Sequence, residues 1–149
     1  MKKTIEKQIL ILSPDGIVSA PITVEYRDGD GFSSEVRSEL NKKTFRGVGE
    51  SRGLEQAFAD LEKNLPENCS LRCCMVCRHG NFCPFGGAPG QLFCTKDKVI
   101  NSKDDMIALF SDKSAFGREV FAADNCGDFV RQDRDHYTYN GFLYYCFKD

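Results

Sequence analysis

Eight cysteines, all of them between Cys69 and Cys146, constrain the folding of this 149-residue chain more than any other feature. Disulfides persist in oxidising compartments, whereas cysteines that cluster in a reducing compartment are more often metal ligands. The apolar run near the start of the chain is too short for a secretory signal, and no run approaches the ~20 residues that cross a bilayer. We therefore expect a cytoplasmic protein without a membrane span, whose cysteines are free thiols or metal ligands.

The composition is that of a folded protein. Leu, Ile, Val and Phe make up about a quarter of the residues, which is enough to bury a hydrophobic core. The formal net charge is −2, and the basic residues are not concentrated in either half of the chain. Proteins that bind nucleic acid usually carry a clustered positive surface, so the sequence argues against a nucleic-acid partner.

Residues 1–68 predict an antiparallel sheet. The apolar run 9–12 ends in a Pro-Asp-Gly turn, and a second strand with one buried face follows, with a break expected at Pro21. The apolar residues of this second strand are Val18, Ile22, Val24 and Tyr26. The polar stretch 32–45 predicts a third strand with weak patterning.

One helix is predicted to pack on this sheet, over residues 51–64. Ser51 could cap its first turn, and a proline at position 66 ends it. Its apolar face consists of Leu54, Phe58, Leu61 and Leu65. The glycine-rich residues 47–53 before the helix do not have the spacing of a phosphate-binding loop, so they predict a tight connection instead.

Residues 69–149 predict a cysteine-rich lobe that forms one compact unit with the N-terminal part. We expect a short strand at 91–95 and a helix at 103–110, with Ser102 as its cap. An Asn-Gly pair between aromatic residues predicts a β-hairpin over 137–144, because a tight type I′ turn needs two positive φ angles. The predicted fold class is therefore α+β: an N-terminal antiparallel sheet with one helix, and a cysteine-rich lobe that ends in an aromatic hairpin.

The spacing of four cysteines predicts a metal site. These residues are Cys74, Cys77, Cys94 and Cys126. Two cysteines separated by two residues can direct both sulfurs at one ion, while the backbone amides of the turn hydrogen-bond the thiolates. Two further cysteines complete the tetrahedron that Zn²⁺ favours in structural sites. The competing interpretations are that the cysteines are small buried residues of the core or that they pair as disulfides.

Three other residues are alternative ligands in this prediction. Cys73 is adjacent to Cys74, and on a strand the two side chains point to opposite faces, so that one can ligate while the other packs. Cys83 lies in the glycine-rich loop and could replace Cys94. His79 follows the first cysteine pair and could ligate through a ring nitrogen.

Residues 73–129 also carry a resemblance. A C-x2-C pair is followed by a lone cysteine after a glycine-rich loop, and then by a lone cysteine in a C-G-x-F sequence. This order resembles small bacterial four-cysteine metal-binding segments and, distantly, the high-potential iron–sulfur proteins. The resemblance implies that the same four cysteines could hold a [4Fe–4S] cluster for electron transfer or redox sensing. The chain departs from that family in having 31 residues between Cys94 and Cys126.

Three functions are consistent with these patterns. The first is a non-enzymatic protein with a structural Zn²⁺ that acts as a binding or adaptor module. The second is a redox protein with an iron–sulfur cluster at the same cysteines, and the third is a cysteine-dependent enzyme with Cys83 or Cys126 as its thiol. The expected partner is another protein or a second copy of the chain, bound through the aromatic residues of the predicted C-terminal hairpin.

Overall fold

The structure is a computed structural model that describes residues 1–29, 31–112 and 118–147. It confirms the α+β class and the N-terminal antiparallel sheet. The strands are β1 (Lys2–Ser13), β2 (Gly16–Arg27), β3 (Ser33–Leu40), β4 (Lys43–Gly49), β5 (Ser70–Arg72), β6 (Gly80–Asn81), β7 (Gln91–Cys94) and β8 (Arg118–Phe121). The helices are α1 (Glu55–Asn64), α2 (Lys103–Ser111) and α3 (Phe142–Cys146), and a short 3-10 turn covers Cys74–Val76. Among the described residues, none of these helices combines the length and apolar character that crossing a membrane requires.

The larger sheet has the strand order β4-β3-β2-β1-β5. β1 and β2 pair along their whole length, so the break expected at Pro21 does not occur. Along β2, pairing with β3 starts at Ile22, one residue after Pro21, where Ile22 lies opposite Ser38. The Ser38 hydroxyl donates to the Pro21 carbonyl oxygen (2.9 Å). Proline is tolerated at this position because no residue of β3 pairs with it, so the absence of its N–H leaves no ladder hydrogen bond unmade.

The polar stretch 32–45 does not form a single strand. It contains β3, a turn and the start of β4. At the turn, Asn41 and Lys42 have φ angles of 53° and 66°, the two consecutive positive values that a type I′ hairpin requires. The pattern was weak because two of the four buried positions of β3 are serines, Ser34 and Ser38, rather than apolar residues.

α1 packs on this sheet, as predicted, and ends at Asn64. It begins at Glu55 rather than at Ser51, whose hydroxyl donates to the Gly53 carbonyl oxygen (3.2 Å) instead of capping the helix. Its apolar stripe is buried against β4, and the approach is very close. A Cβ atom at Gly47 would lie 2.0 Å from the backbone oxygen of Ala57.

The hydrophobic core is continuous across residue 68, where the composition of the chain changes. β5 pairs with β1 through residues 10–12, which extends the N-terminal sheet into the cysteine-rich part. The core from the C-terminal side includes Leu71, Cys73, Met75, Val76, Leu92, Ala122, Ala123 and Phe142. An ion pair also joins the two parts, because Arg131 donates to both carboxylate oxygens of Glu62 at 2.8 and 2.5 Å.

The second sheet has the strand order β6-β7-β8 and organises the cysteine-rich part. β7 lies where the short strand at 91–95 was predicted. α2 also agrees with its prediction, including the cap: the Ser102 hydroxyl accepts a hydrogen bond from the Asp105 N–H (3.2 Å). Local signals were sufficient here because the cap and the strand depend on neighbouring residues.

The predicted aromatic hairpin at 137–144 is wrong, since α3 occupies its second half. Gly141 has a φ of −91°, which a type I′ turn does not allow. The Asn140 side chain makes one local and one tertiary contact instead: its Oδ1 accepts from the Phe142 N–H (3.0 Å), and its Nδ2 donates to the distant Gly80 carbonyl oxygen (2.5 Å). These bonds begin a helix at the position where the local sequence favoured a reversal.

Glu55 connects α1 to the segment before α3, and its ionisation is expected to affect stability. Its Oε2 accepts from the Gly141 N–H (3.1 Å), whereas Oε1 is buried and has no partner among the described residues. Burial raises the pKa of this carboxyl above its ordinary value. Because the pKa is higher in the folded state than in the unfolded state, Glu55 favours folding at low pH, and this contribution is lost as the pH rises through the folded-state pKa.

We therefore predict that Glu55→Gln stabilises the protein at about pH 7 by about 1 kcal/mol and has little effect at about pH 4. Urea unfolding at the two pH values measures the change. Glu50→Gln, at an exposed glutamate just before the helix, is the control. An equal effect of Glu55→Gln at both pH values would contradict the prediction.

Candidate metal centre

The first two predicted ligands lie at the two ends of the 3-10 turn. The Cys77 N–H donates to the Cys74 carbonyl oxygen (3.2 Å), and the Gly80 N–H donates to the Cys77 carbonyl oxygen (3.0 Å). A Cβ atom at position 80 would lie 2.1 Å from the Cys74 carbonyl oxygen, so the tight turn requires glycine there. The C-x2-C spacing therefore produces a compact turn with both cysteines on one side of the chain.

The third cysteine reaches this turn through sheet pairing. Cys94 is the last residue of β7 and lies directly opposite Gly80 of β6. The next residue continues the contact, because the Thr95 N–H donates to the His79 carbonyl oxygen (2.9 Å). Antiparallel pairing thus places Cys94 beside the turn despite the long loop between them.

The fourth cysteine arrives from the segment after β8. The Cys74 N–H donates to the Asp124 carbonyl oxygen (2.6 Å), and the Met75 N–H donates to the Ala122 carbonyl oxygen (3.0 Å). Cys126 follows two residues later, and the Phe129 N–H donates to its carbonyl oxygen (3.3 Å). The backbone of this segment is therefore bound to the same 3-10 turn that carries the first pair.

All four predicted cysteines line one small cavity of about 10 Å³. The other lining residues are His79, Gly80, Lys96, Val120, Asn125 and Phe129. This volume holds about one water molecule or one ion. Within residues 1–29, 31–112 and 118–147, no three His, Cys, Asp or Glu side chains stand close enough together to hold a metal ion as they are placed. The structure thus brings the four cysteines to one cavity without arranging their sulfurs as a finished ligand set.

The electrostatics show how close the thiols are. Burial raises the pKa of Cys77, and the nearby thiols of Cys94 and Cys126 raise it further. Burial likewise raises the pKa of Cys74, with additional contributions from neighbouring thiols that include Cys77 and Cys94. Backbone hydrogen bonds from Val130 and His79 oppose this effect at Cys77 by stabilising its thiolate. A cation bound in this cavity would stabilise the thiolates of Cys74 and Cys77 against this effect.

The alternative ligands are placed differently. Cys73 is fully buried in the core and does not line the cavity, and burial raises its pKa to about 12. Cys83 lines a separate cavity of about 280 Å³ in the glycine-rich loop, so it does not replace Cys94 in this structure. His79 does line the cysteine cavity, and burial lowers its pKa, which favours the neutral ring that metals bind.

The residues around the cavity fit a thiolate-bound cation. The walls contributed by Val120 and Phe129 are apolar, and all eight cysteines of the chain are free thiols. Lys96 also lines the cavity, beside Cys126, and its ammonium pairs with Asp128 (2.6 Å). Sequence reasoning missed Lys96, because no local signal links a lysine in one loop to a cysteine in another. Four thiolates bound to a divalent ion carry a net negative charge, and the Lys96 ammonium would offset part of it.

Comparison of the chain with protein-family models, with curated proteins and with solved structures finds no match. The resemblance of residues 73–129 to four-cysteine segments therefore remains an expectation, and the functional argument depends on the geometry of the site.

Proposed function

We propose that this chain is a non-enzymatic binding or adaptor protein of a reducing compartment such as the cytoplasm, with one structural Zn²⁺ held by four cysteines. The observation that carries the proposal is that the four predicted ligands, from three separate segments, line a single cavity of about one ion's size. Sulfur donors and a tetrahedral four-ligand set are what structural zinc sites use.

Zn²⁺ would act as a cross-link between the 3-10 turn, the end of β7 and the segment after β8. Cys74 and Cys77 would bind from the turn, Cys94 from the second sheet, and Cys126 from the last segment. The elements of this part are short, since β6 has two residues and β7 and β8 have four each. A metal link supplies stability that such short elements do not supply through packing alone.

A [4Fe–4S] cluster at the same cysteines is the second candidate, because the donor set is all sulfur. The size of the cavity favours a single ion, since a cluster of eight atoms needs far more space than about 10 Å³. The cysteine-dependent enzyme gains no support from the site. Cys83, one of its two candidate thiols, lines a cavity whose described lining residues include no histidine to serve as a base. Cys126, the other candidate, lines the cavity of the proposed metal site.

The partner surface proposed for the aromatic hairpin now falls on α3. Tyr144 and Phe147 are 63% and 56% exposed, while Phe142 is buried in the core. The Arg134 guanidinium lies 3.9 Å from the ring centre of Phe147. Exposed aromatic side chains of this kind are typical of contacts with another protein or with a second copy of the chain.

Elemental analysis tests the metal proposal directly. Protein purified without added metal is expected to be colourless and to contain about one zinc per chain. Treatment with a strong chelator should release the zinc and expose about four additional thiols to a titrating reagent, with the denatured protein giving the total of eight. A brown protein with iron and sulfide would support the cluster instead, and a stable folded protein without bound metal would contradict both candidates.

A further inference from the structure

One edge of the larger sheet lacks a neighbouring strand. β5 pairs with β1 only at residues 10–12, so residues 2–9 of β1 have β2 on one side and no strand on the other within the described part of the chain. Most of these residues are exposed. Edges of this kind are ready to pair with another extended chain.

The hydrogen bonds identify which backbone groups face outward. Met1 and Asp28 exchange both of their backbone bonds (3.0 and 3.3 Å), so odd-numbered residues of β1 face β2. The Leu71 N–H of β5 points away from β1 and donates to Glu62 (2.9 Å). The residues on either side of Leu71 therefore point their backbone groups toward β1, where they lie opposite even-numbered residues. The N–H and C=O groups of Lys2, Thr4, Glu6 and Gln8 therefore point out of the free edge.

The opposite edge of the sheet is covered in a different way. The Val48 N–H of β4 donates to the Asp60 carboxylate of α1 (2.9 Å), and the Asn64 amide of α1 donates to the Arg46 carbonyl oxygen (2.7 Å). Side chains from α1 thus satisfy outward groups of β4. Neither kind of contact occurs along residues 2–9 within the described ranges, so the fold protects one edge and leaves the other open.

A groove of about 320 Å³ runs beside the open edge. Its lining includes Lys3 and Ile5 of β1 and, from the cysteine-rich part, Pro89 and Phe121. The Lys7 ammonium lies 6.0 Å from the ring centre of Phe121. The odd-numbered side chains of β1 therefore present a lysine, an apolar residue and a second lysine along one face of the edge.

We propose that the free edge of β1 binds an extended segment of another protein by strand addition, with acidic side chains beside Lys3 and Lys7 and an apolar side chain beside Ile5. Residues on an added strand lie directly beside those of β1 on the same face, about 5 Å away, so opposite charges at these positions attract. Two carboxylates also line the groove: Glu119 accepts from the Gln91 amide, and Asp124 accepts from the Phe121 N–H (2.7 Å). Neither forms an ion pair with Lys3 or Lys7 within the described residues, so both lysines are available to a bound segment.

A second copy of the chain fits this edge less well. If residues 2–8 of two copies pair as antiparallel strands, Lys3 of each copy lies opposite Lys7 of the other. Two pairs of like charges directly across a ladder are destabilising.

The proposal of strand addition at β1 rests on the binding role proposed above, but it does not require the metal.

The test uses a fluorescently labelled peptide, Thr-Glu-Thr-Val-Thr-Glu-Thr, and its counterpart with lysine in place of both glutamates. The glutamate peptide is expected to bind at least about 10-fold more tightly at low salt, and the double variant Lys3→Glu/Lys7→Glu should reverse the preference. Thr4→Pro removes one outward N–H and should weaken binding about 10-fold or more.

Thr44→Pro is the matched control. It places the same substitution in β4, the strand at the other edge of the sheet. The Val48 N–H faces away from β3, so the N–H of Thr44, which is also even-numbered, faces away from β3 as well. Circular dichroism confirms that each variant is folded, and the zinc content is measured on the same samples. Equal binding of both peptides, or an unchanged affinity in Thr4→Pro, would overturn the proposal whatever the zinc content. A dimer that Thr4→Pro abolishes would also overturn it, in favour of self-pairing.

Discussion

Replacement of Cys94 by serine is expected to reduce the zinc content from about one per chain to near zero and to lower the free energy of unfolding by about 3 kcal/mol or more. A serine hydroxyl is a poor ligand for zinc, and the other three cysteines would remain on two segments that no longer share a cross-link with β7. Because ligand binding and folding share one free energy in a structural zinc site, both quantities should fall together. Metal analysis and urea unfolding of the same preparation measure them.

Cys83→Ser is the matched control for this experiment. Cys83 is also a half-buried free thiol, but it lines the cavity in the glycine-rich loop instead of the cysteine cavity. The variant should keep its zinc and lose less than about 1 kcal/mol. Since Cys94→Ser could fold poorly, the wild-type protein is also melted with and without chelator. Zinc retained in Cys94→Ser would remove Cys94 from the ligand set, and zinc lost in Cys83→Ser would show that Cys83 is a ligand.

Gly47→Ala is expected to be among the most destabilising single substitutions in the chain, at about 3 kcal/mol or more. The new Cβ atom would lie 2.0 Å from the Ala57 oxygen, 2.3 Å from the Leu61 nitrogen and 2.8 Å from the Leu61 Cα. All three atoms are backbone, so no side-chain rotation relieves the clash and α1 must move away from β4. For a chain of this size, a loss of that magnitude lowers the midpoint of thermal unfolding by about 10 °C.

Gly31→Ala serves as the comparison for this substitution. A Cβ atom there meets nothing within 4 Å, and its φ angle is not in the left-handed region. Its midpoint should stay within a degree or two of the wild type. If Gly47→Ala melts like Gly31→Ala, then α1 does not lie against β4 as closely as the structure places it.

These predictions differ in how far they could have been made without the structure. The glycines at 47 and 49 were interpreted as a tight connection because their spacing does not match a phosphate-binding loop. Their packing role could not be seen, because it depends on which residues of α1 cross β4. Similarly, the Pro21 position looked like a break because the sequence does not show that β3 begins to pair one residue later.

The aromatic segment before the end of the chain shows the limit of local signals most clearly. Asn-Gly favours a hairpin in isolation, yet the Asn140 side chain bonds to Gly80, which is 60 residues away in the sequence, and to Gln132, and α3 begins after it. A local preference of about 1 kcal/mol is easily outweighed by several partly buried hydrogen bonds and by the burial of Phe142.

The amino-acid sequence by itself determined the alternating strands of the first sheet, the apolar face of α1, the cap of α2 and the short turn between Cys74 and Cys77. Each depends on residues within one or two turns of one another, so periodicity and side-chain chemistry suffice. The sequence named Cys94 and Cys126 as the partners of that pair, but only the tertiary structure placed all four at one cavity and put Cys73 and Cys83 elsewhere. The tertiary structure also decided that one sheet edge stays open within the described residues. Those outcomes depend on strand pairing and close packing between segments tens of residues apart, which no local pattern encodes.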